Sequence, residues 1–495
     1  MGQESNPNLK QLYGQTGWTL GRFAREVNRV GTEGGAPKAY SAQTVHQWLK
    51  GHVPKAEARP LILEALSRKL GRPITHSEAG FPAPVSDSAQ PSTVEGLIDL
   101  GRQDMDPSRR SVIGASLFSV ALTVPGWPDV VGRMEAVQAG ETRRVGLPEV
   151  EMIKAMTERL SELDDEFGGR HARPMAAAFL VNTVAPYLRA PASDDVRKNM
   201  MGAASFLCYL IGWMAVDEGL HRLAQNYYVK GLELAGASDD HFTYCHILRG
   251  MSVQAADLGN GSPAVRLADA AAAAAPSAAP RMRAFLAGQQ AHAYAVRGDR
   301  RAAYQFLRET DSAIEKAESQ ARTFGGYSPA TLAYHEAQVR NALGDTTGSI
   351  DSLQRHFSLR SSSNDSRRSG IRFTSMLAER QLKVGHLEAA CANWSKVLDD
   401  YPTIKSGQVD QHVLTMFHSL RPYLKNPAAR ELYERARIVT PDSLAVSSLR
   451  RQRLRVMWLL PASLTYRQPA NSGHSGEAVA LPRLGFQPPC FASGG

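Results

Sequence analysis

The sequence predicts an all-α protein: a small N-terminal helical domain, a linker, a solenoid of helical hairpins and a disordered C-terminal tail. Three observations carry that prediction. A short segment near the N-terminus has the capping and spacing of a helix with one apolar and one polar flank. Glycine turns recur through the middle at near-regular intervals. The composition is alanine-rich, with aromatic residues at only 7%, which favours helix packed closely on helix.

The first element is Tyr40–Gly51. Ser41 suits an N-cap, because its hydroxyl can accept from an orphan amide of the first turn. Tyr40 and Val45 occupy the two positions of a hydrophobic staple. Val45, Trp48 and Leu49 fall at i, i+3, i+4 and form one apolar stripe. Gly51 stops the helix and Pro54 blocks its continuation. Ala42, Gln43, His46, Gln47 and Lys50 are left facing away from the core, with chemistry that fits base edges and phosphates in a major groove.

Thr19–Asn28 reads as a second helix, capped by Thr19 and burying Leu20, Phe23, Ala24 and Val27. Pro60–Leu70 reads as a third, with Gly71 at C′ and Leu63, Leu66 and Leu70 toward Trp48. Short helices around one apolar centre, one with an exposed polar face, make a helix-turn-helix domain. Residues 1–75 hold eleven Lys/Arg and five Asp/Glu, about +6, a sign that favours a phosphate backbone through counterion release. Gln43, His46 and Gln47 are the expected base-edge residues. Ser41, Thr44 and Lys50 are expected to make backbone or mixed contacts, with Arg22, Arg25 and Lys38 around them. The plainer alternative is a helical module that docks protein and carries a solvated basic face.

Phe23-Ala24, Ser41, Thr44-Val45, Trp48, Lys50-Gly51 and Pro54 resemble the lambda-repressor-like (XRE-type) helix-turn-helix pattern. Arg25-Glu26-Val27-Asn28, the glycine-rich segment, Tyr40, Val45–Gly51 and Ala65–Pro73 resemble one subgroup, actinomycete regulators with a C-terminal tetratricopeptide region. The resemblance extends to about residue 440. It implies a transcription regulator of development or secondary metabolism. The turn from Val30 to Ala39 departs from the compact motif, which uses three or four residues. The subgroup shares the longer turn, read here as a loop beside DNA from which Lys38 reaches a phosphate.

The remaining elements follow in order. Domain 1–77 is followed by a linker at 78–108, where Phe81–Ser92 is rich in Pro and Ser and 93–103 forms a short helix. Residues 109–200 are expected to be a helical connecting segment packed on the solenoid. Across the start of this segment, Asp106–Gly114 looks like a twin-arginine export motif, and an apolar run continues to Val124. Its position behind a folded domain and its length of about 13 residues argue for a buried core helix instead.

Residues 201–440 carry the repeats. Turn glycines at 219, 259, 298, 344 and 385 are spaced by 40, 39, 46 and 41 residues. Each follows an apolar helix and precedes a second helix with small and large apolar residues soon after the turn: Ala224 and Tyr228, Ala264, Ala303 and Leu307, Ile350 and Leu353, Ala389 and Trp394. The instance at Gly259 is the weaker one. The pattern looks like a tetratricopeptide hairpin, lengthened from the standard 34 residues by longer helices or loops. Trp213, Tyr228, Tyr294 and Tyr334 are expected between successive hairpins. Stacking such hairpins gives a curved solenoid with a concave face. Residues 441–495 read as a mostly disordered basic tail, with Arg450, Arg451, Arg453 and Arg455 at its start.

The net charge of +9 is uneven. The last 48 residues hold six Arg and one Glu, about +5, so 9 − 6 − 5 leaves about −2 for the middle. The middle therefore suits a protein, a peptide or a second subunit better than nucleic acid. Four scattered cysteines, with no C-x-x-C pair, argue against a disulfide framework or zinc finger and fit a reducing cytoplasm. The expected partners are double-stranded DNA, a second copy in a homodimer, and a peptide, small molecule or protein as effector on the solenoid, with no membrane.

No catalytic residue, metal ligand or cofactor is expected. Asp239, Asp240, His241, Cys245 and His246 lie close together, but two histidines five apart do not share a helix face as i, i+4 ligands do. They read as a helix start with Asp caps and a half-buried His. Asp164-Asp165-Glu166 reads as a solvated acidic patch. No G-x-S-x-G, Walker A loop or dinucleotide fingerprint occurs.

Overall fold

The computed structural model describes residues 6–33, 38–70, 74–81, 93–105, 145–317, 327–360 and 366–440, and every regular element in them is helical. The N-terminal domain is built from α1 (Pro7–Thr16), α2 (Leu20–Glu33), α3 (Ala42–Leu49) and α4 (Arg59–Leu70). They close on one core that includes Leu9, Leu12, Phe23, Val27, Val45, Trp48, Ile62 and Leu66. The sequence reading lacks α1, whose polar stretch brings only Leu9, Leu12 and Thr16 fully inside.

Two expected boundaries move. The second helix does not end at Asn28 but runs to Glu33, which shortens the turn before α3. Ile74, Ala79 and Phe81 join the N-terminal core, and Asn6 Nδ2 donates to the Ala79 carbonyl at 3.0 Å. The domain therefore reaches Phe81 rather than residue 77. The stretch 93–103 is no linker helix either. Within α5 (Thr93–Met105), Val94, Leu97, Ile98 and Leu100 are buried in the core of the repeat body. An i, i+3, i+4 stripe of that kind requires a partner surface.

Next come α6 (Leu147–Phe167) and α7 (Gly169–Phe179), which runs through a π-turn (Leu180–Val184) into α8 (Ala185–Arg189). Six helical hairpins follow. They pair α9 (Asp194–Asp217) with α10 (His221–Ser238), α11 (His241–Asp257) with α12 (Gly261–Ala273), and α13 (Pro280–Arg297) with α14 (Arg300–Glu315). Then α15 (Pro329–Ala342) pairs with α16 (Thr346–Leu359), α17 (Arg367–Lys383) with α18 (Leu387–Asp400), and α19 (Gly407–Leu420) with α20 (Pro427–Val439). The protein is thus all-α, a helical N-terminal domain followed by a tetratricopeptide-like solenoid. The first hairpin begins at Asp194, inside the segment expected to be connecting. The expected core helix that ends at Val124 and the tail from 441 lie outside the described residues.

The five turn glycines all have positive φ: 78° at Gly219, 74° at Gly259, 90° at Gly298, 89° at Gly344 and 89° at Gly385. Each helix ends in the same Schellman motif. At Gly298 the glycine N–H donates to the Ala295 carbonyl at 2.9 Å and the next N–H, of Asp299, donates to Tyr294 at 2.9 Å. The motif repeats at Gly344, where Asp345 N–H reaches Arg340 at 2.8 Å, and at Gly385, where His386 N–H reaches Gln381 at 2.9 Å. Asp299 and Asp345 then cap the following helix.

The register around these glycines is strict. Five residues after each stand Ala224, Ala264, Ala303, Ser349 and Ala390, all 0% exposed. Seven residues before stand Gly212, Ser252, Ala291, Ala337 and Ala378, all buried. Small groups at both positions let the two helices of a hairpin touch backbone to side chain. Ser252 Oγ donates to the Ala264 carbonyl at 2.8 Å, and a Cβ on Gly212 would meet the Tyr228 ring at 2.5 Å. The Gly259 hairpin obeys the register as fully as the others. Tyr228 is fully buried, whereas Trp213, Tyr294 and Tyr334 are only half-buried. The extra length over 34 residues sits in long helices, α9 above all, and in the connections between hairpins, such as Ala274–Ala279.

By length and composition α9 could cross a membrane, but 78% of its apolar window is buried inside the protein, so it is the core helix of the first hairpin. Cys208, Cys245 and Cys391 are buried and unpaired. The end of the solenoid is pinned to its beginning. Lys405 N–H donates to the Phe167 carbonyl at 2.7 Å, and Arg170 N–H to the Lys405 carbonyl at 3.0 Å.

Candidate nucleic-acid interface

The candidate interface is the outer face of α3, and it is positioned from behind by three contacts. Val45 and Trp48 sit 0% and 6% exposed in the core. Tyr40 meets Trp48 edge-on at 5.0 Å between ring centroids. Asn28 on α2 grips the segment entering α3, with its Nδ2 donating to the Tyr40 carbonyl at 2.8 Å and its Oδ1 accepting from the Tyr40 N–H at 2.8 Å. Asn28 is absent from the sequence-derived site. The signal was a polar residue at the edge of the apolar stripe of α2, where a backbone clamp and a solvated amide look alike.

The ends of α3 are satisfied internally. Ser41 accepts from the Thr44 N–H at 3.3 Å, while Thr44 Oγ1 accepts from the Ser41 N–H at 3.3 Å. This is a capping box in which Thr takes the usual Glu position. Ser41 and Thr44, expected to make backbone or mixed contacts to DNA, are therefore engaged with each other and set the start of the helix. At the other end Gly51, with φ 102°, completes a Schellman stop: its N–H donates to Trp48 and that of His52 to Gln47.

The other expected residues separate into two groups. Gln43 and Lys50 are exposed on the α3 face, with His46 and Gln47 half-buried beside them. Lys38 is half-buried and pairs with Glu57 at 3.1 Å, so its charge is partly neutralised, against the reading of an open phosphate contact. Arg25 is exposed on α2. Arg22 lies elsewhere, its guanidinium 6.0 Å from the Trp18 ring centroid. With Glu26, Arg29, Arg68 and Lys69 it lines a shallow basic groove of about 200 Å³ between α2 and α4. On a 100° helical wheel Arg22 and Asn28 are about 120° apart, so Arg22 does not share the flank of α2 that holds α3.

The acidic cluster changes meaning. Asp164 is no solvated patch: it is buried and pairs with Arg368 at 2.8 Å. Asp165 and Glu166 keep substantial exposure. Asp240 does cap α11, accepting from Thr243 N–H at 2.9 Å, while His246 is fully rather than half buried. Among the described residues no group of three or more His, Cys, Asp or Glu is placed to hold a metal ion.

Residues 9–82 match the family model described as the SP15 N-terminal domain, which spans the four-helix domain and its Phe81 end. No curated protein matches the chain. A solved structure of a monomeric IFIT1 mutant with Gppp-AAAA aligns with a TM-score of 0.34 at 11% identity, over 88% of this chain and 96% of that chain. That likeness is too distant to carry a function. The helical-repeat architecture rests on the register of the chain itself.

Proposed function

We propose that the chain is a helical-repeat scaffold that presents its N-terminal domain to duplex DNA as a transcription regulator. The observation carrying this reading is the α3 face. A short rod is fixed by Val45, Trp48 and the Asn28–Tyr40 clamp, and its outward side offers Gln43, His46, Gln47 and Lys50. Amides in that setting can pair bidentately with adenine in the major groove, and a terminal lysine suits phosphate. The solenoid would then serve a second subunit or an effector.

The second reading is an adaptor whose N-terminal domain docks protein. It is favoured by the Lys38–Glu57 pair, which lowers the positive charge next to α3. It is favoured too by the hairpins, which make up most of the described chain. Selection from a random duplex pool with the full-length protein separates the two. An enriched motif whose binding weakens steeply with salt supports the regulator. Failure to enrich any sequence, with no retention on heparin, assigns the domain to protein docking.

A further inference from the structure

Between the start of α11 and the start of α13 lies a cavity of about 560 Å³, within the range of small-molecule sites. Phe242, Phe285, Met282 and the Ala274–Ala279 connection make its walls mostly apolar, and Tyr327 closes one side. The Tyr327 hydroxyl is already engaged with His335 Nδ1 at 2.8 Å, and Arg281 donates to the Tyr327 carbonyl at 3.2 Å. Arg249 stacks on Phe285, 3.9 Å from its centroid, and fixes that wall.

One group in the lining is unexplained by packing. His246 is 3% exposed, and neither ring nitrogen makes a well-formed hydrogen bond: the Phe242 backbone, one turn back, is close enough to favour the charged ring slightly but not to satisfy it. Four aromatic rings surround it: Phe285 at 4.6 Å, Phe242 at 4.7 Å, Tyr209 at 5.7 Å and Phe206 at 6.3 Å. Burial, with Arg249 nearby, pushes the imidazole down to about 3, so it is neutral and offers one donor and one acceptor. An orphaned buried polar group is costly, and native structures rarely keep one without a use. A metal is a poor occupant, because His241 and His246 have no third ligand among the lining residues.

We infer that this cavity binds an uncharged, mostly apolar ring compound whose hydroxyl or carbonyl group hydrogen-bonds to His246. It deepens the effector role of the solenoid but rests on α11, α13, the Ala274–Ala279 connection and Tyr327, so it stands whether or not the N-terminal domain binds DNA.

The test uses full-length protein and prodan, an uncharged naphthalene ketone whose emission shifts blue in apolar surroundings. Saturable one-to-one binding is expected, together with a rise in Tm on saturation. Ala278→Trp, which fills the cavity from the connection, should abolish binding. His246→Phe keeps the ring volume, so it should weaken prodan about three- to tenfold by loss of one hydrogen bond. The same variant should raise the Tm of the ligand-free protein, because the orphan is gone. Prodan that fails to saturate, or that binds Ala278→Trp like wild type, overturns the site. Unchanged affinity in folded His246→Phe overturns the role of the imidazole. Loss of duplex binding with intact prodan binding would sink only the DNA reading.

Discussion

At the scale of single residues, the N-terminal domain depends on what holds α3. Trp48 is 6% exposed and packs edge-on against Tyr40. Trp48→Ala is expected to cost about 3–5 kcal/mol, a large share of the stability of a small domain. Loss of cooperative melting in the near-ultraviolet circular dichroism of the N-terminal aromatics would report it. Asn28→Ala removes both hydrogen bonds to Tyr40 and leaves two backbone groups seeking partners. About 1–3 kcal/mol is expected, and hydrogen exchange at the Tyr40 amide should rise before global unfolding. The outward residues should behave differently from the clamp. Gln47→Ala should reduce discrimination at one base pair by about 1–3 kcal/mol, while Lys50→Ala should weaken all duplexes alike and reduce the salt slope by about 1. Gel-shift titrations at several salt concentrations read both. Equal losses on specific and random duplex for Gln47→Ala would remove it from the reading face.

At the scale of elements, the hairpin turn is a backbone device rather than a packing one. A Cβ on Gly298 would meet nothing within 4 Å, yet its φ is +90°. Gly298→Ala should therefore cost about 1–2 kcal/mol through strain alone, with the hairpin otherwise intact. Gly212 is the opposite case: its backbone is ordinary, but a Cβ would enter the Tyr228 ring. Gly212→Ala should cost about 1–3 kcal/mol and splay α9 from α10. Chemical denaturation of both variants, with unchanged m for Gly298→Ala, distinguishes strain from repacking. These devices explain how much of the fold is legible in the sequence. Positive φ favours glycine, and close helix contact demands alanine, serine or glycine, so the five turns and their small neighbours announce themselves, whereas the left-handed Asp239 that ends α10 does not. The α3 stripe is legible for the same local reason. The first helix is not, because Leu9 and Leu12 alone carry its inner face. Helix α5 is misread as linker because its apolar stripe gains meaning only against α7 and α10, which lie far along the chain. In the candidate site the exposed amides of α3 are legible, while the Lys38–Glu57 pair and the Asn28 clamp are not, because both depend on where the turn folds.

At the scale of the whole molecule, the repeat body is closed by charge. Arg368 at the start of α17 reaches Asp164 on α6 at 2.8 Å and Asp217 on α9 at 3.2 Å, across 204 and 151 residues of sequence. Asp217 also accepts from Ser406 Oγ at 2.7 Å and from the Gly169 N–H at 3.2 Å, so it ties α7, α9 and α19 together. A second buried arginine, Arg173, joins Glu218 at 2.5 Å and Asp104 of α5. Removing the hub is expected to be severe: Arg368→Ala leaves Asp164 and Asp217 buried without their cation and should cost about 3–5 kcal/mol. The network also has a pH dependence whose sign follows from the burial of Asp164. Burial raises the Asp164 carboxyl; Arg368 pulls it down, and the neighbouring Asp217, Asp165 and Glu218 push it up again, to about 7 from an ordinary 3.8. A raised acid binds its proton more tightly folded than unfolded. Its contribution is fully present below about pH 4 and is lost as pH rises through about 7. Asp164→Asn keeps the shape and cannot titrate, so its stability should be flatter across that window, and the difference in Tm between the two proteins should shrink or reverse toward alkaline pH. Parallel melts from pH 5 to 8, where the N-terminal domain and the repeat body can be followed by separate probes, would read the effect on the body. A wild-type body that gains stability as pH rises through 7, relative to Asp164→Asn, would mean that Arg368 outweighs burial and that the carboxylate form holds the closure.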